Sequence, residues 1–411
     1  MPSTFTLPWG AWFGDRDRPF DLPDGWEAEV AEPRGAEPLT VAALHDALAA
    51  GIDAPPLREL ARGRRNAVVV VEDLTRPARL AEVLPSVLSE LQQGGLAPSA
   101  IRLLVGCGGH APLDRPALVK KLGPSIVAGY DVANHHPYED LVDLGTSARG
   151  IPIHINRRFA EADLKVAVGS VVPHPYAGFG GGAKIVLPGV AGIQTLEANH
   201  RPAVTGLQGG FNDVETNAAR REMEEIALRV GLAAIVNVVT DAKRRTVGVF
   251  AGHPVAAHRA AVELARRVYA TPPPQGGADA VLLNAYPKDT ELLQVGNVFN
   301  VLRAASTIPV RPGGVVIVTG ACSLGRGYHS LHGPGMRLYR TPVERTYLEG
   351  RPVIVHLPSL NAHDARVSFW EGYPFERTWA GVKRRLRSLA GRSGRMLVFP
   401  CAPLQILESR A

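Results

Sequence analysis

Apolar runs rich in β-branched residues recur along the chain, and amphipathic helical stretches separate many of them. NAVVVVED (66–73), IRLLVGCGGH (101–110) and LKVAVGSVVPH (164–174) predict buried strands. ARLAEVLPSVLSELQQGG (78–95) predicts a helix that ends at glycine despite its internal proline. Strands that alternate with helices are typical of α/β proteins with mostly parallel sheets. This alternation constrains the fold more than any single motif does, and it predicts an α/β fold.

The later part of the chain repeats the pattern after a break. A helix is predicted at 218–231 and a hairpin at 233–252, and TPPPQGG (271–277) forms a stiff boundary. Further strands are predicted beyond it, at 278–284, 314–320, 352–357 and 395–399. A chain of 411 residues is also too long for one ordinary core. We therefore expect two α/β domains, 1–272 and 273–411, with a ligand cleft between them.

Composition excludes several classes of protein. Hydrophobic residues make up 45% and charged residues 20% of the chain, which is ordinary for a soluble globular protein. The N-terminus lacks a signal peptide and no segment approaches a membrane span, so we expect a cytoplasmic protein without a membrane partner. The net charge of +6 is spread out without interleaved aromatics, which favours a small anionic ligand over nucleic acid. Three distant cysteines disfavour a zinc site or a disulfide framework.

Polar residues follow the predicted strands at the points where each strand ends. Asp73-Leu74-Thr75-Arg76 follows the first strand, Gly106–His110 follows the second, and His174 ends the third. In open α/β sheets ligands bind at the carboxyl ends of the strands. These three strand ends together therefore predict a functional site.

The glycine-rich loop HPYAGFGGGAK (174–184) lies between two histidines. It is not a phosphate-binding P-loop, since that motif needs Gly-Lys-Ser/Thr and Lys184 is followed by Ile185. Its glycines would let backbone amides approach a ligand, and the alternative is a mobile surface turn. Most lone histidines are structural. His110, His174 and His200 differ, because each ends a strand or a short helix beside glycine or proline, and imidazole can exchange protons or bind a metal.

HPYAGFGGGAKIVLPGVAGIQTLEANH (174–200) resembles the signature of the lactate racemase family, which comprises nickel-dependent 2-hydroxyacid racemases and epimerases. DLTRP (73–77), GGH (108–110), LGTSARGIPIHINR (144–157) and YPKDTELLQ (286–294) occur in the order of the family. The resemblance covers most of the chain to about residue 305.

The resemblance implies a nickel pincer nucleotide, a pyridinium mononucleotide that holds nickel and takes part in hydride transfer. Its covalent attachment matches Lys184, its nickel ligand matches His200, and the acid/base catalysts match His110 and His174. The loop that grips the nucleotide matches Asp73, Leu74, Thr75 and Arg76. The first domain would bind the cofactor, and the second would contribute to the substrate site. The implied partners are a small 2-hydroxy acid and the proteins that mature the cofactor, and a homo-oligomer stays open.

Two positions depart from the family pattern. Ala111 stands where many relatives carry arginine, and Asn297 stands where lysine is usual. Gln294 matches a substrate-contacting glutamine, and Arg76 or Lys288 could replace the missing cation. We therefore expect Arg76, Gln294 and Asn297 to contact the substrate, and a 2-hydroxy acid other than lactate to be preferred. The alternative is a non-catalytic nucleotide- or cofactor-binding relative, which would not need both acid/base histidines.

Overall fold

The computed structural model describes residues 3–201 and 209–409, and its elements follow the predicted alternation. The strands are β1 Thr4–Trp9, β2 Arg16–Asp21, β3 Trp26–Val30, β4 Ala67–Val71, β5 Ile101–Val105, β6 Asp131–Asn134, β7 Leu141–Thr146, β8 Pro152–Asn156, β9 Leu164–Ser170, β10 Pro173–His174, β11 Ala177–Phe179, β12 Gly210–Phe211, β13 Ala234–Thr240, β14 Thr246–Gly252, β15 Ala270–Thr271, β16 Ala278–Asn284, β17 Val310–Thr319, β18 Val353–His356, β19 Phe375–Glu376, β20 Gly394–Phe399 and β21 Ile406–Leu407. The helices are α1 Val41–Ala50, α2 Leu57–Ala61, α3 Leu84–Gln93, α4 Arg115–Leu122, α5 Pro124–Gly129, α6 Arg157–Ala160, α7 Ile193–Asn199, α8 Ala218–Arg229, α9 Ala256–Tyr269, α10 Leu292–Val295, α11 Asn300–Arg303, α12 Ala362–Ala365 and α13 Trp379–Ala390. The predicted α/β fold with mostly parallel sheets is confirmed.

The chain forms two compact units. Unit 1 contains Met1–Gly35, Val268–Tyr328 and His332–Ala411, and unit 2 contains Ala36–Arg267 together with His329–Leu331. The chain passes from unit 2 to unit 1 near the end of α9. The N-terminal segment up to Gly35 belongs to unit 1.

Unit 2 is built on a six-stranded sheet in the order β14-β13-β9-β4-β5-β6. All its neighbouring strands are parallel except β13 and β14, which form the predicted antiparallel hairpin. Every residue of β4 is buried, as expected for a parallel strand with both faces covered. The proline in the 78–95 segment lies in the first turn of α3, where its missing N–H costs no helical hydrogen bond.

Unit 1 is built on a second six-stranded sheet, with the order β19-β18-β17-β16-β20-β3 and parallel pairing throughout. The N-terminal residues enter this unit because β3 pairs with β20 from Trp26↔Gly394 to Val30↔Val398. The β1–β2 hairpin adds Leu7 and Phe20 to the same apolar core. The short, charged β3 (WEAEV) offers no local signal of this distant partner.

Cys107, Cys322 and Cys401 are free and buried. Within the described ranges no helix combines the length and the apolar character needed to cross a bilayer.

Each unit contains a buried neutral histidine away from the predicted site. His356 ends β18, where Nδ1 lies 2.8 Å from Thr319 Oγ1, and burial, assisted by the charge of Arg18, lowers its pKa to about 4. His135 follows β6 in unit 2, where Nε2 donates to the Ala191 carbonyl at 2.9 Å, and burial lowers its pKa to about 4 as well. Protonation of either imidazole in the folded state is energetically unfavourable, because burial disfavours the charged form.

We expect acid to destabilise the fold through these histidines. A histidine in the unfolded chain titrates near pH 6.5. The two neutral histidines therefore contribute fully to the free energy of unfolding above about pH 6.5, and this contribution is lost as the pH falls towards 4. Near pH 5 each should have removed about 2 kcal/mol from the free energy of unfolding. Guanidinium denaturation near pH 7.5 and pH 5 measures this loss, which should shrink in His356→Gln and persist in the exposed-site control His45→Gln. An equal pH effect in all three proteins would contradict the prediction.

Candidate functional site

The strand order of the unit 2 sheet reverses direction at β4. β4 continues to β5 and β6 on one side, whereas β9 and β13 lie on its other side. Ligands of open α/β sheets bind beyond the carboxyl ends of strands at such a switch point. Asp73–Arg76 follow β4, Gly106–His110 follow β5, and His174 comes shortly after β9. The three strand ends singled out in the sequence therefore belong to three adjacent strands.

Asp73, which is buried, and His110, which is partly buried, form a hydrogen-bonded pair at this edge. Nδ1 of His110 lies 2.7 Å from Oδ2 of Asp73, and the two side chains are 14% and 5% exposed. The other carboxylate oxygen of Asp73 accepts from the backbone N–H of Thr75 at 2.8 Å and from its hydroxyl, which in turn accepts from Arg76 Nη1 at 3.0 Å. Burial alone would raise the pKa of Asp73, but His110, Arg76 and Thr75 outweigh it and hold this pKa below its ordinary value. Asp73 is therefore ionised and orients His110.

Glu72, the neighbour of Asp73, holds the start of the same loop through contacts with Lys121 and Ser170. One carboxylate oxygen lies 2.8 Å from Nζ of the fully buried Lys121. The other accepts from the backbone N–H and the hydroxyl of Ser170, at 2.6 and 2.8 Å. Lys121 also donates to the carbonyls of Arg76 and Ala78. The backbone of the 73–78 loop is thus fixed by contacts that the sequence reasoning missed.

The glycine-rich loop is buried from Ala177 to Leu187, so the alternative of a mobile surface turn is wrong. Its carbonyls are held by the fully buried Arg220, which donates to Ala177 and Gly181 at 3.2 Å each and to Phe179. Burial lowers the pKa of Arg220 to about 10. This part of the loop therefore belongs to the buried core.

The glycines serve packing within the protein. Gly181 and Gly182 have positive φ angles of 71° and 58°. A Cβ on Gly182 would lie 2.9 Å from the His258 ring, and one on Gly181 would lie 2.6 Å from Asn237 Oδ1. His258 Nε2 donates to the Gly180 carbonyl at 2.9 Å, so a histidine that the sequence analysis treated as ordinary supports the loop. Protein atoms occupy the Cβ positions of Gly181 and Gly182, so packing within the fold already requires glycine at both.

His174 and His200 are linked through Tyr176. Nδ1 of His174 accepts from the backbone N–H groups of Tyr176 and Ala177, at 3.2 and 3.0 Å. The His200 ring stacks on Tyr176 with centroids 5.3 Å apart, and its Nδ1 donates to the Leu196 carbonyl at 2.9 Å. His200 therefore carries its imidazole lone pair on Nε2. Next to it, the buried Asn199 side chain has no hydrogen-bond partner for either polar atom among the residues that the structure describes.

Lys184 lies on a 3-10 turn, Gly182–Ile185, and its side chain is mostly buried. The segment after it contacts the loop that carries His110, since Gly108 N–H donates to the Gly189 carbonyl at 2.9 Å. The Lys184 and His110 loops are therefore packed against each other. Over the described ranges, no group of three or more His, Cys, Asp or Glu side chains could hold a metal ion.

Three of the sequence-predicted residues lie in unit 1. Gln294 is buried on α10, and Asn297 follows it on a 3-10 turn. The Asn297 amide donates to the Gln294 backbone carbonyl at 2.7 Å and lies 3.4 Å from Gln294 Oε1. Lys288 is also buried in this unit.

Comparisons with known proteins cover most of the chain. Residues 13–208 match the family model described as the lactate racemase N-terminal domain. The chain is 32% identical over 288 residues to a lactate racemase of Lactiplantibacillus plantarum, in an alignment covering 68% of this chain and 66% of that relative, just under two thirds. It is 30% identical over 327 residues to a lactate racemase of Thermoanaerobacterium thermosaccharolyticum, covering 77% of this chain and 74% of the relative.

Solved structures share the fold. The lactate racemase apoprotein of Thermoanaerobacterium thermosaccharolyticum superposes with a TM-score of 0.77 at 25% identity, over 98% of this chain and all of that one. A protein from Thermotoga maritima superposes with a TM-score of 0.68 at 17% identity, over 92% of this chain and all of that one, which supports the fold alone.

The packing of the glycine loop gives a direct test. Gly150→Ala places a Cβ at a positive φ of 78° in open space and should cost about 1 kcal/mol of unfolding free energy. Gly182→Ala adds a collision with the His258 ring and should cost about 1–3 kcal/mol more. Denaturant unfolding of both variants measures the difference. Equal costs would show that the loop yields and does not pack rigidly.

Proposed function

Because the chain belongs to the lactate racemase family, we propose that it inverts the carbinol carbon of a 2-hydroxy acid. The proposal includes a nickel pincer nucleotide attached to Lys184, with His110 and His174 as acid/base catalysts. The observation that carries it is the buried Asp73–His110 pair at the switch point of the unit 2 sheet. An oriented histidine at that position suits proton transfer to or from a bound hydroxyl.

The chemistry explains why a hydroxyl base is needed. The C–H bond beside a hydroxyl and a carboxylate is very weakly acidic, so removing its hydrogen as a proton is hard. The cofactor, when bound, would take up that hydrogen as hydride and return it to either face of the planar keto acid. The protein must then accept the hydroxyl proton, give it back, and hold the carboxylate.

His110 is arranged as the base. Its Nδ1–H donates to Asp73, so the lone pair lies on Nε2, the atom that would accept the hydroxyl proton. The ionised Asp73 stabilises the imidazolium that results. Asp73 and Thr75 use their side chains to orient His110. In the nucleotide-gripping loop we therefore assign direct gripping to Leu74, Arg76 and the backbone, and positioning to Asp73 and Thr75.

His174 presents the opposite tautomer. Nδ1 accepts two backbone N–H groups, so the proton of the neutral ring lies on Nε2. In this tautomer His174 Nε2–H can donate a hydrogen bond to the substrate oxygen, while His110 Nε2 can accept the hydroxyl proton.

The residues present fit the proposed cofactor. His200 has its Nδ1–H on the Leu196 carbonyl, the kind of outer contact that fixes a metal-binding imidazole and directs Nε2 to the metal. Nickel accepts imidazole ligands. Among the described residues the Asn199 amide next to His200 has no hydrogen-bond partner, and it would gain one in a bound group. Lys184 lies on a rigid buried turn, which would hold a covalently attached group in one orientation.

The substrate is proposed to be a 2-hydroxy acid other than lactate, with Gln294 and Asn297 of unit 1 among its contacts. Losing the charge-assisted contact of the usual lysine costs about 1.5–3 kcal/mol, or roughly one to two decades of affinity. Asn297 instead fixes the Gln294 carboxamide, and the neutral pair offers donors and acceptors to a further hydroxyl or carbonyl. Ala111 leaves space for a longer substrate.

We expect the cofactor to be attached at Lys184 with His200 as a nickel ligand. Protein produced together with cofactor-making proteins should carry nickel and a peptide adduct at Lys184 by mass spectrometry. Lys184→Arg should lack the adduct, while the exposed control Lys120→Arg keeps it. His200→Ala should lose or weaken nickel binding. Active, nickel-loaded enzyme with an unmodified Lys184 would contradict the assignment.

We also expect loaded protein to invert a 2-hydroxy acid in a chiral assay over lactate, longer aliphatic, aromatic and polyhydroxy acids. His110→Gln and His174→Gln should keep nickel and lose at least about 100-fold in kcat, the range of general acid/base contributions. Asn297→Ala should lower kcat/KM for the preferred substrate. Full cofactor loading without inversion of any acid would favour the non-catalytic cofactor-binding alternative. A clear preference for lactate, unchanged in Asn297→Ala, would refute the substrate proposal.

A further inference from the structure

Three residues from late in the chain, His329–Leu331, belong to unit 2, although the residues on both sides of them belong to unit 1. They dock beside the loop that follows β5. The Ser330 N–H donates to the Gly109 carbonyl at 2.7 Å, and His329 forms an isolated antiparallel bridge with His110. The family resemblance becomes weak beyond about residue 305, so no motif marked this segment.

The His329 side chain packs directly on the proposed base. The rings of His110 and His329 meet edge to face, with centroids 5.1 Å apart and planes at 73°. This is a favourable geometry for aromatic rings. His329 is itself oriented, because its Nδ1 accepts from the Leu331 N–H at 3.1 Å. The contact is therefore made by a ring with a fixed plane.

Gly109 shows that this contact shapes the backbone. A Cβ on Gly109 would lie 2.8 Å from Cε1 of His329. The glycine before His110 is thus required by the His329 ring. Asp73, Thr75 and His329 together hold the His110 imidazole, the first two at Nδ1 and the third through ring packing.

We infer that His329 is a positioning residue for His110. By fixing the imidazole plane, it keeps Nδ1 on Asp73 and leaves Nε2 in one direction for the substrate hydroxyl. The inference rests on the proposed function, in which His110 is the base. A loosely oriented base lowers the rate of reaction more than the affinity for substrate, because productive geometry is needed only in the transition state.

Variants at position 329 separate the functions of the side chain. His329→Ala removes the ring and the Nδ1 acceptor, His329→Phe keeps the ring packing, and His329→Asn keeps an acceptor for the Leu331 N–H. His332→Ala is the matched control, since His332 is an exposed histidine three residues further on. Thermal unfolding checks that each variant is folded.

The first measurement uses protein without cofactor. In ¹⁵N-histidine NMR spectra, His110 should show an Nδ1–H tautomer and a protected Nδ1 proton. His329→Ala and His329→Asn should mix the tautomers and lose the proton signal to exchange, whereas His329→Phe and His332→Ala should keep both. The second measurement uses loaded enzyme. His329→Ala should lower kcat about 10-fold or more with KM within about 2-fold, and His329→Phe should recover most of kcat.

Two results would overturn the inference. Unchanged His110 signals and an unchanged kcat in His329→Ala would show that the ring contact is incidental. Rescue by His329→Asn but not by His329→Phe would assign His329 to its backbone turn. If the chain proves inactive on every 2-hydroxy acid while the NMR effect is present, the proposed function fails and the orientation of His110 by His329 stands.

Discussion

A single buried carboxylate, Glu72, joins the chain segments on which the candidate site depends. It binds Lys121 of α4 with one oxygen and the end of β9 at Ser170 with the other. Burying such a pair is costly unless every polar atom is satisfied. Lys121 meets that condition with two further carbonyls from the 73–78 loop. Burial lowers the pKa of Lys121 and Glu72 opposes that shift. The loop after β4 therefore has a single conformation that its neighbours enforce.

Two neighbouring carboxylates that follow β4 have separate partners. Glu72 contacts Lys121 and Ser170, whereas Asp73 contacts His110. The first carboxylate fixes the backbone, and the second uses that fixed backbone to orient an imidazole. Removing the anchor would therefore disturb the geometry of the candidate site through the backbone.

The sequence places Asp73, His110 and His174 at the ends of neighbouring strands because the rule involved is local. Carboxyl ends of parallel strands lie at one edge of a sheet, so consecutive strand ends identify the site once the strands are recognised. Arg220, His258 and Asn237 were missed, because they reach the glycine loop from distant parts of the chain. The pairing of β3 with β20 and the docking of His329 beside His110 were missed for the same reason. Each depends on a tertiary contact that leaves no periodic signal in the sequence.

The glycine loop illustrates how one sequence feature can have a different physical cause from the expected one. Glycine permits close approach of any atom, whether from a ligand or from the protein, and sequence cannot distinguish the two. Here His258 and Asn237 lie where glycine side chains would be, and Arg220 donates to carbonyls of the loop. Contacts within the protein therefore hold the loop in place. A lysine on such a loop loses little conformational freedom when it holds a group in place, because most of that freedom was lost on folding. The packing of the glycines thus holds the backbone of Lys184 in a buried turn, which is the physical basis on which its attachment role is proposed.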